Sequence, residues 1–387
     1  MVLKPLKIFN FSDQMHLKTI SLINFKNYAE AELEFCPGIN CFTGINGEGK
    51  TNLLDAIHYL SLCKSFFNPV DTQNILHDAP FFVIQGNFEL DGNNEEVYCG
   101  LKRSQKKIFK RNKNEYNRLA DHIGAFPLVM ISPADTDLIN EGSESRRKFL
   151  DSVIAQFDRI YLEDLINYNK IVSQRNALLK RFAETGRFVK DSLDVWDFQL
   201  VEFAKRINEK RKSLVTELIP IFGKYYELIS GIKEEVQITY HSDLNYEDFD
   251  AVLKAALTKD RAYQYTTVGV HKDELELKLN GYSVKKYGSQ GQQKSYLIAL
   301  KLAQFEYIKK IKNITPLLLL DDIHDKLDEL RVKQLMELVS SDYFGQIFIT
   351  DTHIDRISAI LSTNNSLSFK QFNIKNGVVE KQTQEII

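Results

Sequence analysis

The sequence predicts an α/β fold in which two lobes of short strands and helices make one head, with a helical arm inserted between them. Three observations predict it. Residues 44–51 read Gly-Ile-Asn-Gly-Glu-Gly-Lys-Thr, a glycine-rich loop set between a strand pattern and a helix pattern. The apolar run Leu317–Leu320 ends abruptly in Asp321-Asp322. Between these two features, from Ala134 through Ile219, the chain carries no proline, and its apolar residues recur at helical spacing.

The first lobe is expected over residues 15–145. His16–Phe25 reads as a strand, and Ala31–Phe35 alternates apolar and acidic residues as a half-buried strand does. Pro37-Gly38 makes a turn into the strand Ile39–Thr43. Thr51–Cys63 places Leu53, Leu54, Ile57, Leu60 and Leu62 on a helical repeat. Further strands are expected at Phe81–Leu90, Glu96–Leu101 and Pro127–Ile131.

The arm is expected over residues 146–265. Phe149, Leu150, Val153, Ile154, Phe157, Ile160, Tyr161 and Leu165 form one helical series. Trp196, Leu200, Phe203, Ile207, Leu214 and Leu218 form another, with a polar stretch around Gly186 between them. This reads either as a projecting pair of long antiparallel helices or as an ordinary helical bundle. The second lobe, 266–387, is expected to hold a helix over Gln292–Lys312, strands at Leu317–Leu320 and Gln346–Ile349, and a closing hairpin. The hairpin pairs Ser368–Ile374 with Val378–Gln382 across Asn376-Gly377.

Composition narrows the class. Hydrophobic residues make up 43% of the 387 and charged residues 26%, as in a folded globular protein. The net charge of −2 means that any nucleic-acid contact must come from local basic patches. Cys36, Cys41, Cys63 and Cys99 form no CxxC pair, which argues against a zinc site or a disulfide framework and fits a reducing cytoplasm. The apolar run Leu317–Leu320 falls far short of the roughly 20 residues that span a membrane. Residues 1–14 mix Lys4, Lys7, Asn10 and Asp13 with scattered apolar residues and lack the core of a signal peptide. They read as an extension, either disordered or upstream of a true start at Met15.

The loop chemistry is specific. Gly44, Ile45, Asn46, Gly47, Glu48, Gly49, Lys50 and Thr51 satisfy every fixed position of the phosphate-binding P-loop, and Asn52 follows as a further candidate. The glycines let backbone N–H groups turn toward phosphate oxygens, and the following helix adds its positive end. Lys50 suits the β- and γ-phosphates of ATP, and Thr51 can ligate Mg²⁺. Asp321 can hold the same magnesium, and Asp322 can polarise an attacking water. The bland alternative for the two aspartates is a helix N-cap. Tyr287-Gly-Ser-Gln-Gly-Gln-Gln-Lys294 is either a second anion-binding turn or a helix-capping loop.

Basic residues cluster in three places. Lys102, Arg103, Lys106, Lys107, Lys110, Arg111 and Lys113 fall on an expected hairpin with its turn at Asn112–Asn114. They could track DNA phosphates or guard a solvated edge strand. Arg146, Arg147 and Lys148 form a second patch. Lys170, Arg175, Lys180, Arg181, Arg187 and Lys190 are spread along the arm, where they serve either DNA or a wet helix face.

Taken together, the P-loop, helical insertion, glycine–serine turn and acidic strand end resemble the ABC-type ATPases, in the branch that holds the SMC and RecF families. LKTISLINFKNYAEAELEFCPGINCFTGINGEGKTNLLDAI, SPADTDLINEGSESRRKFLD, VGVHKDELELKLNG and YGSQGQQKS are similar to the RecF family, and the likeness runs from Met15 through nearly the whole chain. The resemblance implies an ABC-type P-loop ATPase head with a mixed sheet, and a short antiparallel coiled-coil-like arm. It implies that Ser289, Gly291 and Gln292 reach the γ-phosphate held by a second copy, that Leu327-Asp328 crosses the dimer, and that His353 senses the γ-phosphate beside catalytic Asp322. Asp325-Lys326 departs from the Ser-Glu usual in the family, and no residue here is assigned to the glutamine loop.

The same resemblance implies an ATP-dependent homodimer that binds double-stranded and gapped DNA, acts with RecR and RecO to load RecA, and supports the SOS response. Hydrolysis would be slow, because a split site is complete only when two chains meet. The rivals are an SMC-like structural head, disfavoured by an arm of only about 120 residues, and a small-molecule phosphotransferase, which gives the glycine–serine turn no role.

Overall fold

The computed structural model describes residues 15–231, 233–245, 248–323, 329–339, 342–352 and 368–386. The expected 1–14 extension lies outside them. The chain divides into two compact units, Met1–Ala134 with Phe305–Ile387, and Asp135–Gln304.

The first unit begins with β1 (His16–Phe25), β2 (Tyr28–Glu34) and β3 (Ile39–Thr43), and then α1 (Lys50–Leu62). It continues with β4 (Phe81–Leu90), β5 (Asn93–Lys102), β6 (Ile108–Arg111), β7 (Asn114–Glu115) and β8 (Leu128–Ile131). The second unit holds α2 (Asp137–Asn140), α3 (Ser143–Ala155), α4 (Arg159–Thr185), α5 (Lys190–Ser230), β9 (Val236–His241) and α6 (Phe249–Tyr263). Next come β10 (Glu274–Leu279), β11 (Tyr282–Ser283), α7 (Val284–Tyr287) and α8 (Gln290–Lys312), whose last turns return to the first unit. That unit closes with β12 (Leu317–Leu320), α9 (Glu329–Val339), β13 (Ile347–Asp351), β14 (Ser368–Lys375) and β15 (Val378–Ile386).

Two sheets sandwich α1 in the first unit. One is antiparallel, in the order β2-β1-β4-β5-β6-β7; the other is mixed, in the order β15-β14-β3-β13-β12-β8. Within the mixed sheet, β8, β12, β13, β3 and β14 run parallel, and β15 closes the edge antiparallel. Every residue of β3, β8, β12 and β13 is buried, as parallel strands covered on both faces require. Helix α1 touches β1, β4 and β5 on one side and β8 and β13 on the other. Its burial is therefore nearly all round. Phe35 meets Phe348 edge-on at 4.9 Å and Phe372 at 5.5 Å, knitting the core below the site.

In the second unit α4 and α5 lie antiparallel. Asp158, Asp164 and Arg175 on or just before α4 pair with Lys210, Arg206 and Asp197 on α5, so the number rises on one helix as it falls on the other. Gly186 ends α4 in the left-handed conformation, φ 67°. The arm expected over 146–265 is more than two helices. Helix α5 continues past Pro220 to Ser230, and β9, which falls inside the expected helical stretch, pairs with β10 in a separate antiparallel sheet of order β11-β10-β9. Residues 266–304, assigned by sequence to the second lobe of the head, belong to this unit instead.

Candidate nucleotide site

Strand β3 ends at Thr43 and the glycine-rich loop follows, with Gly49 as the N-cap of α1 at φ 116°. Two glycines are sterically obligatory. A Cβ on Gly44 (φ 149°) would sit 2.3 Å from the carbonyl oxygen of Ile374, and one on Gly49 2.5 Å from Asn27 Nδ2. Lys50 is buried, and its Nζ donates to the Gly44 and Ile45 carbonyls at 2.6 and 2.9 Å. The ammonium thus lies within the curl of the loop. Burial lowers its pKa, opposed by the negative charges of Asp322, Asp321, Asp351 and Glu48. Ile45, Asn46 and Gly47 are exposed at the loop's crest. Glu48 accepts from the Asn376 amide, and Asn52 spends its side-chain donor on Asn27 at 2.7 Å.

The acidic strand end meets this loop. Asp321 is buried, and its Oδ1 accepts from Thr51 Oγ1 and Thr350 Oγ1, both at 2.9 Å. Thr350 is beside it because β12 and β13 pair Leu320 with Ile349, so the next residue on each strand emerges at the same height. Thr350 Oγ1 in turn accepts from the Asp322 amide at 2.9 Å. Asp322 turns left-handed, φ 49°, as it leaves the strand. Burial raises the pKa of Asp321, with Asp322 adding to the rise and Thr51, Thr350 and Lys50 opposing it. Asp351 lies opposite Thr43 in the parallel register of β13 and β3.

At the head of α8, Ser289 and Gln292 form a reciprocal cap. The Ser289 amide donates to Gln292 Oε1 at 2.8 Å, and the Gln292 amide donates to Ser289 Oγ at 3.2 Å. Gln292 also donates to Glu234 at 2.8 Å. The capping reading of this turn therefore holds as geometry, and Gly291 follows in the first turn of the helix.

Residues 16–375 match the model of the RecF/RecN/SMC N-terminal domain family. The DNA replication and repair protein RecF of Flavobacterium johnsoniae is 52% identical over 360 residues, covering 93% of this chain and 100% of the relative. That of Phocaeicola vulgatus is 52% identical over 372 residues, covering 96% and 99%. The chain belongs to the RecF family.

A solved structure of the recombination mediator protein RecF with ATP, from the RecFOR pathway, superposes on this RecF-family chain with a TM-score of 0.87 at 31% identity, covering 98% of this chain and 100% of that one. The Smc head of Pyrococcus furiosus, at 16% identity and a TM-score of 0.58, shares the fold. The head is thus of the ABC/SMC ATPase type, as the resemblance implied.

Other candidates fall in different surroundings. Leu327, Asp328 and His353 lie outside the described residues. In the hairpin β6–β7, Asn112 and Lys113 both take positive φ, as a tight two-residue turn requires. Lys106, on the loop between β5 and β6, is exposed, and Lys110 of β6 sits 5.8 Å over the Tyr98 ring. Lys107 is tucked in, donating to Tyr59, the Cys63 carbonyl and Asp71. Arg111 pairs with Glu95 at 2.8 Å. Arg146 makes a two-pronged bond with Glu274 at 2.7 and 2.8 Å, and Arg147 donates to the Asp273 carbonyl at 2.7 Å. Sequence reasoning missed Thr350 and Asp351; the signal was the polar pair Thr-Asp ending the apolar strand β13.

Proposed function

We propose that this chain is an ATP-dependent DNA-binding protein of recombinational repair and replication. ATP closes two copies into a dimer on duplex or gapped DNA, and slow hydrolysis releases them. RecO and RecR then act with it to load RecA in the cytoplasm, and the same activity supports SOS induction. One observation carries the reading: the Thr51 hydroxyl and the Asp321 carboxylate meet at 2.9 Å across the mouth of a loop already curled around Lys50.

A hydroxyl and a carboxylate oxygen so placed are hard oxygen donors of the kind Mg²⁺ takes. Thr51 and Asp321 would hold that ion, and a bound Mg²⁺ would draw charge off the phosphates. Among the described residues, no three His, Cys, Asp or Glu gather into a complete cage. That fits an ion completed by phosphate and water rather than one buried in protein. The loop amides and Lys50 bind the triphosphate. Asp322, two residues beyond the strand, orients the attacking water and accepts its proton at the carboxylate. Ser289, Gly291 and Gln292 of a second copy complete the site, as do His353 and the Leu327-Asp328 loop.

Phosphate contact on DNA falls first to Lys106 and Lys110, because the charges of Lys107, Arg111, Arg146 and Arg147 are engaged within the fold. The helices of the arm, of 27 and 41 residues, reach roughly 40 and 60 Å, far too short for an SMC-type coiled coil.

ATP turnover measured against protein concentration tests the proposal. A rate per chain that rises with concentration and saturates is expected for a site completed by a second copy. A rate per chain that is constant on dilution would sink it.

A further inference from the structure

The back of the phosphate loop is gripped by residues that no phosphate-loop pattern calls for. The carbonyl of Glu48 accepts two hydrogen bonds, from Asn27 Nδ2 at 3.0 Å and from the Gly377 amide at 2.9 Å. The carbonyl of Gly49 accepts from the Tyr28 hydroxyl at 3.0 Å. Asn27 cannot swing away, because its Oδ1 accepts from Asn52 at 2.7 Å. It is also wedged between glycines on both sides. A Cβ on Gly377 would lie 2.3 Å from the Asn27 carbonyl oxygen, and one on Gly49 2.5 Å from its Nδ2. The turn that carries Asn27 is anchored below by Lys26, which pairs with buried Asp55 at 2.6 Å and donates its amide to Asn74 at 2.8 Å.

The consequence follows from peptide geometry. All described peptides are trans, and in a trans peptide the carbonyl of one residue and the N–H of the next point in opposite directions. Pinning the Glu48 carbonyl to the outside therefore turns the Gly49 N–H into the curl of the loop, where phosphate oxygens are to be held. Without the grip this peptide is free to flip. Gly49, on its C-terminal side, sits at φ 116°, and glycine has no steric preference that opposes a flip. A flipped peptide aims a carbonyl at the anion. The flipped fraction then reduces the apparent affinity in proportion.

We propose that Asn27, Tyr28 and the Gly377 turn are positioning residues of the nucleotide site: they clasp the outer side of the loop and set nucleotide affinity through the Gly49 amide, held by Asn27 and Gly377, and the Lys50 amide, held by Tyr28, without touching the nucleotide. This rests on the reading of the loop as an ATP site. Amides at this end of a phosphate loop serve the phosphates that ATP and ADP have in common. Both nucleotides should therefore depend on the clasp equally.

The test is equilibrium titration of the full chain with Mg-ATP and Mg-ADP. Asn27→Asp keeps the shape and the acceptor for Asn52 but loses the donor to Glu48. It should raise both dissociation constants by about tenfold and leave their ratio within about twofold of the wild type. Tyr28→Phe keeps the ring and loses only the hydroxyl, and should weaken both by about threefold. It serves independently if Asn27→Asp fails to fold. Lys50→Ala is the control for the site itself. If Lys50→Ala abolishes binding while Asn27→Asp and Tyr28→Phe bind both nucleotides as the wild type does, the clasp is wrong and the ATP reading stands. A loss confined to ATP also overturns the clasp, since dimer closure rather than loop shape would then be at work. A wild-type chain that binds neither nucleotide overturns the ATP reading and the clasp with it.

Discussion

Thr51 and Asp321 are 270 residues apart in the chain and share a hydrogen bond of 2.9 Å. The bond joins the first turn of α1 to the tip of β12, and Thr350 makes a second bond to the same carboxylate oxygen. Asp321→Asn keeps an oxygen that can accept from both threonines and removes the charge. Burial raises the pKa of Asp321, so the folded state holds its proton more tightly than the unfolded chain. Above that pKa the ionised carboxylate opposes folding, and its removal at neutral pH should not lower the unfolding midpoint. The ratio of ATP affinities measured with magnesium and with EDTA should fall toward one in Asp321→Asn. A wild-type ratio in this variant would remove Asp321 from the metal site.

Neighbouring lysines on the β5–β6 loop should behave oppositely. Lys107 is bound to Asp71, Tyr59 and the Cys63 carbonyl, so Lys107→Ala should destabilise the fold by about 2 kcal/mol in denaturant unfolding. Lys106 is exposed, and Lys106→Ala should leave stability unchanged. If Lys106 touches a phosphate, the slope of log affinity for DNA against log salt falls by about one in that variant.

Arg175 is fully buried and pairs with Asp260 at 2.5 Å and Asp197 at 2.6 Å. Sequence placed it on a helix face turned either to DNA or to solvent, and its role is internal. Arg175→Met strands the buried Asp260 carboxylate and should cost roughly 3–5 kcal/mol. Adding Asp260→Asn should recover much of that loss, because the uncompensated charge goes with it. Unfolding of the single and double variants measures the coupling directly.

The second buried titration is that of His122. Its Nε2 lies 2.7 Å from the Leu60 carbonyl and its Nδ1 3.2 Å from the Tyr116 hydroxyl. Burial pushes its pKa down from 6.5 to about 4. The unfolded chain therefore binds the proton first, and stability is lost as pH falls from about 6.5 toward 4, by roughly 3 kcal/mol at most from this group. His122→Gln should flatten that part of the acid profile. An unchanged profile would show that His122 is not the titrating group.

Much of the site was legible because backbone geometry dictates residue type. A loop that must curl round phosphates needs glycine where φ is positive, so the pattern at 44–51 shows in sequence alone. The strands His16–Phe25, Ile39–Thr43, Phe81–Leu90 and Leu317–Leu320 also run to their expected ends, because their apolar patterns stop at turn residues. What sequence hid was pairing at long range. Thr350 matters only through the register of β12 against β13, and Asn27 only because the β1–β2 turn folds under the loop. Arg146 and Lys107 looked like free charges because Glu274 and Asp71 are distant in the chain. The sheet of the second unit was masked by its setting. Val236–His241 alternates apolar and polar residues as a strand does, yet it follows a 41-residue helix that ignores Pro220.

Binding of the wild-type chain and of Asp322→Asn to gapped and blunt duplexes at low salt, with and without Mg-ATP, tests most directly whether ATP works here as a switch for gripping DNA. Tight complexes are expected only with ATP, and they should persist longest in Asp322→Asn, whose loop still binds nucleotide while its turnover falls by about a hundredfold or more. Equal DNA affinity with and without ATP, in both proteins, would contradict the switch.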